Sequence, residues 1–274
     1  MRAFLLVFIP LSALKSQTPT YEALDAIVWM QSAVEYQAAT SQTYRTARAS
    51  LLRALEDKNW TAAFEQSGNY RDLPPAVILD LDETVLDNSA YMVPLIKEGK
   101  QFSDDSWQAW VAQARAGILP GAIEFLKFAH MHGVTPFYIT NRVCNPRAPD
   151  DPTVKVLRNW GAPLRAENSN LFCKEETSDK TRRRRLVAAG NRILLLFGDD
   201  LGDFLTIAPE QANAEGRQQL FRFNEQFWGD RWFVLPNPSY GSWERAVGTD
   251  VKKEAVLRCF TWVGGWGACQ QSGR

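Results

Sequence analysis

The chain has 274 residues, 45% of them hydrophobic and 23% charged, and 31 basic residues balance 31 acidic ones for a net charge of +0. That length suits one large domain, or one with an appendage, and is enough to bury a core without disulfide or metal staples. The composition excludes the disordered class, no apolar run reaches the ~20 residues of a membrane span, and nothing in the charge balance favours binding a nucleic-acid polymer.

In chain order, Met1-Arg2 precedes an apolar stretch, Ala3 to Leu14, broken by Pro10 and Ser12. One basic residue ahead of a short apolar run is the shape of a secretory signal peptide, here residues 1–16. It implies export, to the periplasm or beyond the cell. An N-terminal core segment is the alternative, and Pro10 argues against an ordinary helix there. Residues 17–75 form an N-terminal helical region: Leu24, Ile27, Val28, Met30, Val34 and Tyr36, then Leu51, Leu52 and Leu55, recur near the 3.6-residue period over 21–57. Leu73-Pro74-Pro75 ends it.

Beyond this point short apolar runs predict strands, each running into polar residues. Ala76 to Leu79 ends at Asp80, Val134 to Ile139 at Thr140-Asn141, Arg192 to Phe197 at Gly198-Asp199-Asp200, and Trp232 to Leu235 at Pro236-Asn237. Asn170 to Cys173 is a weaker fifth run. Amphipathic stretches at 119–131 and 154–160 suit crossover helices, so the expected fold is α/β, a three-layer Rossmann-like parallel sheet with helices on both faces. The core spans 76–250, an aromatic-rich insertion at about 88–117 makes a small, mainly helical cap, and 251–274 is a tail without an assigned role. Such sheets bind ligands at the carboxyl ends of their strands, where these polar residues lie.

Asp80-Leu81-Asp82-Glu83-Thr84 places two carboxylates at a strand end, where one can attack a phosphoryl group while the other transfers protons. Gathered carboxylates call for a cation, and Asp199, Asp200 and Asp203 add oxygen ligands that suit Mg²⁺. Thr140 and Asn141 offer a hydroxyl and an amide to phosphate, and Lys180 offers a fixed positive charge. Each cluster alone also reads as a turn or helix cap. Arg182 to Arg185 read as a solvated helix face. Of the four cysteines, an oxidising compartment would pair Cys144 with Cys173 and Cys259 with Cys269; four free thiols are the alternative. With no Cys-x-x-Cys and only His130 and His132, zinc has little support.

Ala76 to Tyr91 (AVILDLDETVLDNSAY), Phe137 to Arg142 (FYITNR), Ser178 to Arg183 (SDKTRR) and Gly198 to Phe204 (GDDLGDF) resemble the four motifs of the haloacid dehalogenase superfamily. Together with Val28-Trp-Met-Gln31, Pro120 to Phe125 and Leu235 to Trp243 they resemble, more narrowly, the bacterial class C acid phosphatases of the lipoprotein e type, over about 21–250. The resemblance implies a phosphomonoesterase that is 5′-nucleotidase-like and takes a small phosphomonoester substrate. Asp80 would be the nucleophile that forms an aspartyl-phosphate, and Asp82 the general acid and base. Mg²⁺ would be held by Asp80, by the Asp82 backbone carbonyl, by Asp199, and by Asp203 through water. Thr140, Asn141 and Lys180 would bind phosphate. Trp107 and Tyr240 match an aromatic pair that sandwiches the leaving group, with core packing as the alternative. A homodimer is admitted, since dimers occur in similar proteins.

The sequence departs from the family pattern in three ways. No cysteine precedes Cys144, so an N-terminal lipid anchor is not supported. Asp200 stands where many members have Asn, and is expected to strengthen metal binding or raise a neighbouring pKa. The cysteine set suggests local disulfides. A phosphotransferase or sugar-phosphate phosphatase on the same fold, or a non-catalytic storage or binding relative, are the competing readings.

Overall fold

A computed structural model of the chain describes residues 23–247 and the backbone of two short strands beyond them. The expected signal segment, the Cys259–Cys269 pairing and most of the tail lie outside the described residues. The N-terminal part contains helices α1 (Leu24–Ser32) and α2 (Val34–Glu56), followed by strand β1 (Pro75–Leu79). The insertion holds β2 (Leu86–Asp87), α3 (Ser89–Glu98), α4 (Asp104–Val111) and β3 (Gly117–Ile118). Then come α5 (Ala122–Met131), β4 (Thr135–Ile139), α6 (Pro152–Asn159), β5 (Leu171–Phe172), α7 (Thr181–Gly190) and β6 (Arg192–Gly198). The last are α8 (Ala214–Phe223), β7 (Trp232–Val234), α9 (Ser242–Val247), β8 (Arg258–Thr261) and β9 (Gly265–Ala268).

All five predicted strands form, and they pair in the order β5-β4-β1-β6-β7 with every neighbour parallel. The strands read as unbroken apolar runs because both faces are covered. In β1 the side chains alternate: Val77 and Leu79 join the layer built with Tyr44, Leu51, Phe125 and Val154, while Ala76 and Ile78 join Val187, Phe204 and Trp232 on the other face. A register shift against β6 between Ala76 and Val77 lets Leu194 and Leu195 both enter the first layer. This is the three-layer α/β architecture expected.

The N-terminal helical stretch is two helices, separated where Ala33 takes extended backbone (φ −80°, ψ 127°). Periodicity alone did not mark that break, since Ala33 is a good helix former. Its effect is to let α1 leave the sheet and pack Ile27 and Met30 against Met92, Val93 and Ile96 of α3. In the insertion β2 and β3 pair antiparallel, closing its two ends into a short ribbon beneath α3 and α4. The α4 start carries a reciprocal cap between Ser103 and Ser106, which satisfies otherwise orphan N–H groups. Cys144, after β4, and Cys173, after β5, form the expected disulfide with Cα atoms 5.5 Å apart. Among the described residues no helix is long and apolar enough to cross a membrane.

One buried group ties the helical layer to the loop after β1. Tyr44 of α2 stacks on Phe197 at 5.6 Å and its hydroxyl donates to the Thr84 carbonyl at 2.6 Å. Tyr44→Phe keeps the packing but strands that buried carbonyl, which should cost about 1–3 kcal/mol in urea unfolding. A loss below a few tenths would show that the loop finds another donor.

Candidate active site

The site is built on the carboxyl ends of β1 and β6. Asp80 follows β1 directly, and its N–H donates to the Phe197 carbonyl at 3.0 Å, extending the ladder by one residue. Asp199 follows β6, and Asp203 closes the helical turn Leu201–Asp203 just beyond. That turn folds back over Gly198, where a Cβ would overlap the Asp203 carboxylate, so only glycine allows the approach. Oxygens of Asp80, Asp199 and Asp203 consequently all lie within 4.8 Å of one another.

Lys180, at the start of α7, reaches into this cluster. Its ammonium donates to Asp203 Oδ1 at 2.5 Å and also to Asp80 Oδ1. Lys180, Asp80 and Asp203 are each only 7% exposed. One buried ammonium therefore bonds to two carboxylates of a set of three. Burial pushes the Asp80 carboxyl up to about 7, with Lys180 pulling it down and Asp203 and Asp82 adding to the rise. Burial, then Asp203 and Asp80, holds Asp199 well above the ordinary carboxylate range. Burial works against the Lys180 charge, yet Asp203 and Asp80 outweigh it and keep the ammonium above its usual value. An all-oxygen set with surplus negative charge fits a hard divalent cation.

Asp82 stands apart from that cluster. Arg142, 1% exposed, clasps its carboxylate: Nε donates to Oδ1 at 2.9 Å and Oδ2 at 3.2 Å, and Nη2 to Oδ1 at 2.7 Å. Asn88 Nδ2 adds a bond to Oδ1 at 2.9 Å, and the Thr140 hydroxyl reaches Oδ2 at 3.4 Å. The Asn88 carbonyl oxygen in turn accepts from Arg142 Nη2 at 3.1 Å and from Trp110 of the cap at 2.9 Å. The Arg142 guanidinium also lies 5.6 Å from the centre of the Trp107 ring. Thr140 thus reaches Asp82 directly, and Trp107 meets it through Arg142. Asn141 is exposed beside them, and its amide oxygen accepts from Arg183 Nη2 at 2.7 Å. Tyr240 is half-buried in the loop before α9 and makes no ring contact among the described residues.

Two sequence expectations are corrected. Asp200 does not add a carboxylate to the cluster. Its Oδ2 accepts from the Ser242 N–H at 2.7 Å, and its Oδ1 accepts from the Ser242 hydroxyl at 2.7 Å and the Gly202 N–H at 3.0 Å. Although burial pushes Asp200 up, these bonds from Ser242 and Gly202 hold it below the usual value, so its work is to pin the Tyr240 loop. The arginine run is not wholly solvated. Arg182 and Arg185 are exposed, but Arg183 and Arg184 are buried. Arg184 donates to the Gly202 and Asp203 carbonyls at 2.9 and 3.2 Å and to Glu65 at 2.8 Å, fixing the acidic turn.

Residues without a sequence-assigned role also serve the site. Arg142 ends the FYITNR segment, and Asn237, in the LPNPSYGSW segment, donates to Asp199 Oδ2 at 2.8 Å. Only their place directly after strand ends signalled them.

Because Asp80 and Asp199 hold protons more strongly than free carboxylates, a cation must displace protons on binding. Affinity for Mg²⁺ should fall as pH drops through about 7. Calorimetry in buffers of different ionisation enthalpy should show protons released. Binding without proton release would mean that the carboxylates are already fully ionised.

The family model described as "HAD superfamily, subfamily IIIB (Acid phosphatase)" matches residues 12–243. The class C acid phosphatase of Bacillus anthracis is 35% identical over 84% of this chain and 89% of its own, with a TM-score of 0.72. A second structure of the Bacillus anthracis enzyme, with tungstate bound, is 33% identical over 86% of this chain and 94% of its own, with a TM-score of 0.73. The chain belongs to the HAD superfamily, subfamily IIIB acid phosphatases, and is a phosphomonoesterase.

Proposed function

We propose that the enzyme is a Mg²⁺-dependent phosphatase of nucleoside 5′-monophosphates and aryl phosphates, working through an aspartyl-phosphate on Asp80. The observation that carries this reading is the cluster of Asp80, Asp199 and Asp203, with Lys180 bonded to Asp80 and Asp203 and with Asp82 two residues after Asp80. Asp80, Asp199 and Asp203, with the Asp82 backbone carbonyl, would hold Mg²⁺. When bound, the cation offsets the carboxylate charge and polarises the phosphoryl oxygens.

The reaction has two displacements. An Asp80 oxygen forms a bond to phosphorus as the ester P–O bond breaks, and the departing oxygen takes a proton from Asp82. Water then attacks the phosphoaspartate, gives its proton back to Asp82, and releases phosphate with Asp80 restored. Arg142 and Asn88 hold the Asp82 carboxyl in one orientation for both proton transfers. Lys180, with Thr140 and Asn141, neutralises and orients the phosphoryl oxygens. Tungstate, bound to the Bacillus anthracis relative, is a tetrahedral oxyanion like phosphate and supports the same reading. Trp107 and Tyr240 supply flat faces for a base or aryl group. The Cys144–Cys173 disulfide supports an exported enzyme in an oxidising compartment.

Phosphate release from 5′-mononucleotides and from glycerol phosphate, with and without Mg²⁺, tests this directly. Asp80→Asn should lower turnover by at least about a thousandfold while leaving the melting transition in place. Retained turnover would remove Asp80 as nucleophile. Trp107→Ala should raise KM for nucleotides roughly tenfold and leave glycerol phosphate nearly unchanged. Equal losses on both substrates would make Trp107 a packing residue and return the leaving-group class to the sugar phosphates.

A further inference from the structure

Arg183 lies on α7 and is 2% exposed, yet it belongs to none of the roles above. Backbone carbonyls from three segments hold its guanidinium. Nη1 donates to Thr140 at 2.6 Å and Cys173 at 3.3 Å, and Nη2 to Ser178 at 3.4 Å and Asp179 at 3.2 Å. The disulfide between Cys144 and Cys173 braces the same junction. Nη2 has one side-chain partner among these bonds, Asn141 Oδ1 at 2.7 Å. A guanidinium has donors only, so the amide must turn its oxygen toward Arg183. The Asn141 Nδ2 group then lies on the side of the amide away from the guanidinium, on a residue that is exposed and that directly follows Thr140, whose hydroxyl reaches Asp82.

We propose that Arg183 is a positioning residue that fixes which end of the Asn141 amide meets the substrate. It makes Asn141 a donor to phosphoryl oxygens and prevents the flipped amide, whose oxygen would repel them. The inference rests on the phosphatase reading above, in which Asn141 binds phosphate. It adds the residue that sets the polarity of that contact. Three carbonyl-bearing segments give the guanidinium its own rigidity, so the amide has one orientation before substrate arrives.

The test is the affinity for inorganic phosphate, measured by competitive inhibition and by calorimetry on the full Mg²⁺-loaded chain. Asn141→Ala should weaken phosphate roughly tenfold, the loss of one hydrogen bond to a charged group. Asn141→Asp should weaken it more, because Arg183 still holds one oxygen while the other presents an anion to an anion. Arg183→Lys should weaken phosphate nearly as much as Asn141→Ala, and should add little when combined with it. Turnover at saturating substrate should fall less than affinity does.

Losses from Arg183→Lys and Asn141→Ala that multiply in the double variant would overturn the inference, leaving Arg183 a staple between loops. So would an Asn141→Asp protein that binds phosphate as tightly as wild type; this variant keeps the Arg183 bond and decides the matter even where the lysine variant does not fold. An Asn141→Ala protein with unchanged phosphate affinity overturns the phosphate-donor reading itself, and the inference with it. The three results are distinguishable in one set of titrations.

Discussion

Three carboxylates, two buried and one half-buried, crowd beside one buried ammonium, and the surrounding structure holds them there. Like charges at this separation disfavour joint ionisation, and burial makes each charge costlier. Left to themselves the Asp80, Asp199 and Asp203 side chains would separate. Each is instead fixed in place: Asp80 by the β1–β6 ladder, Asp199 by the Asn237 amide, and Asp203 by the glycine beneath it and by Arg184 on the carbonyls of its turn. The parallel sheet is what places two such strand ends side by side. The unfavourable electrostatics are offset by the two core layers on either side of it.

A second cluster, around Asp82, joins this centre to the cap. Arg142 touches Asp82, Asn88 and the Trp107 face, and Asn88 passes the connection to Trp110. The residues proposed for proton transfer and for leaving-group recognition are thereby joined in one connected unit rather than standing as independent side chains. On the opposite side Asp200 ties the loop of Tyr240 to the acidic turn. Both aromatic residues proposed to flank the substrate are linked to charged groups beside the carboxylates proposed as catalytic.

Much of this was legible in the residues. Buried parallel strands leave continuous apolar runs, and AVIL, RILLLF and WFVL ended where the chemistry begins. The aspartates and Lys180 could be found because a phosphoryl-transfer site needs acids at strand ends and a nearby cation. What could not be read was the fate of long polar side chains. Arg183 and Arg184 look like the solvated neighbours Arg182 and Arg185, and they differ because segments 43 and 18 residues away in the chain, at Thr140 and Gly202, supply carbonyls to them. Asp200 looked like a further metal ligand because it adjoins Asp199, but its turn aims it at Ser242, 42 residues later in the chain. The break at Ala33 was equally silent, since it is imposed by the cap helix that α1 packs against.

The most direct test of the carboxylate cluster as a cation site is thermal unfolding with EDTA and with excess Mg²⁺, for wild type and Asp199→Asn. Wild type should gain roughly 5–10 °C when Mg²⁺ is about a hundredfold above its Kd. The metal-free variant should melt above metal-free wild type, because one repelling charge is gone, and should gain little from Mg²⁺. A wild-type melting temperature indifferent to Mg²⁺, or an equal gain in both proteins, would contradict the site described here.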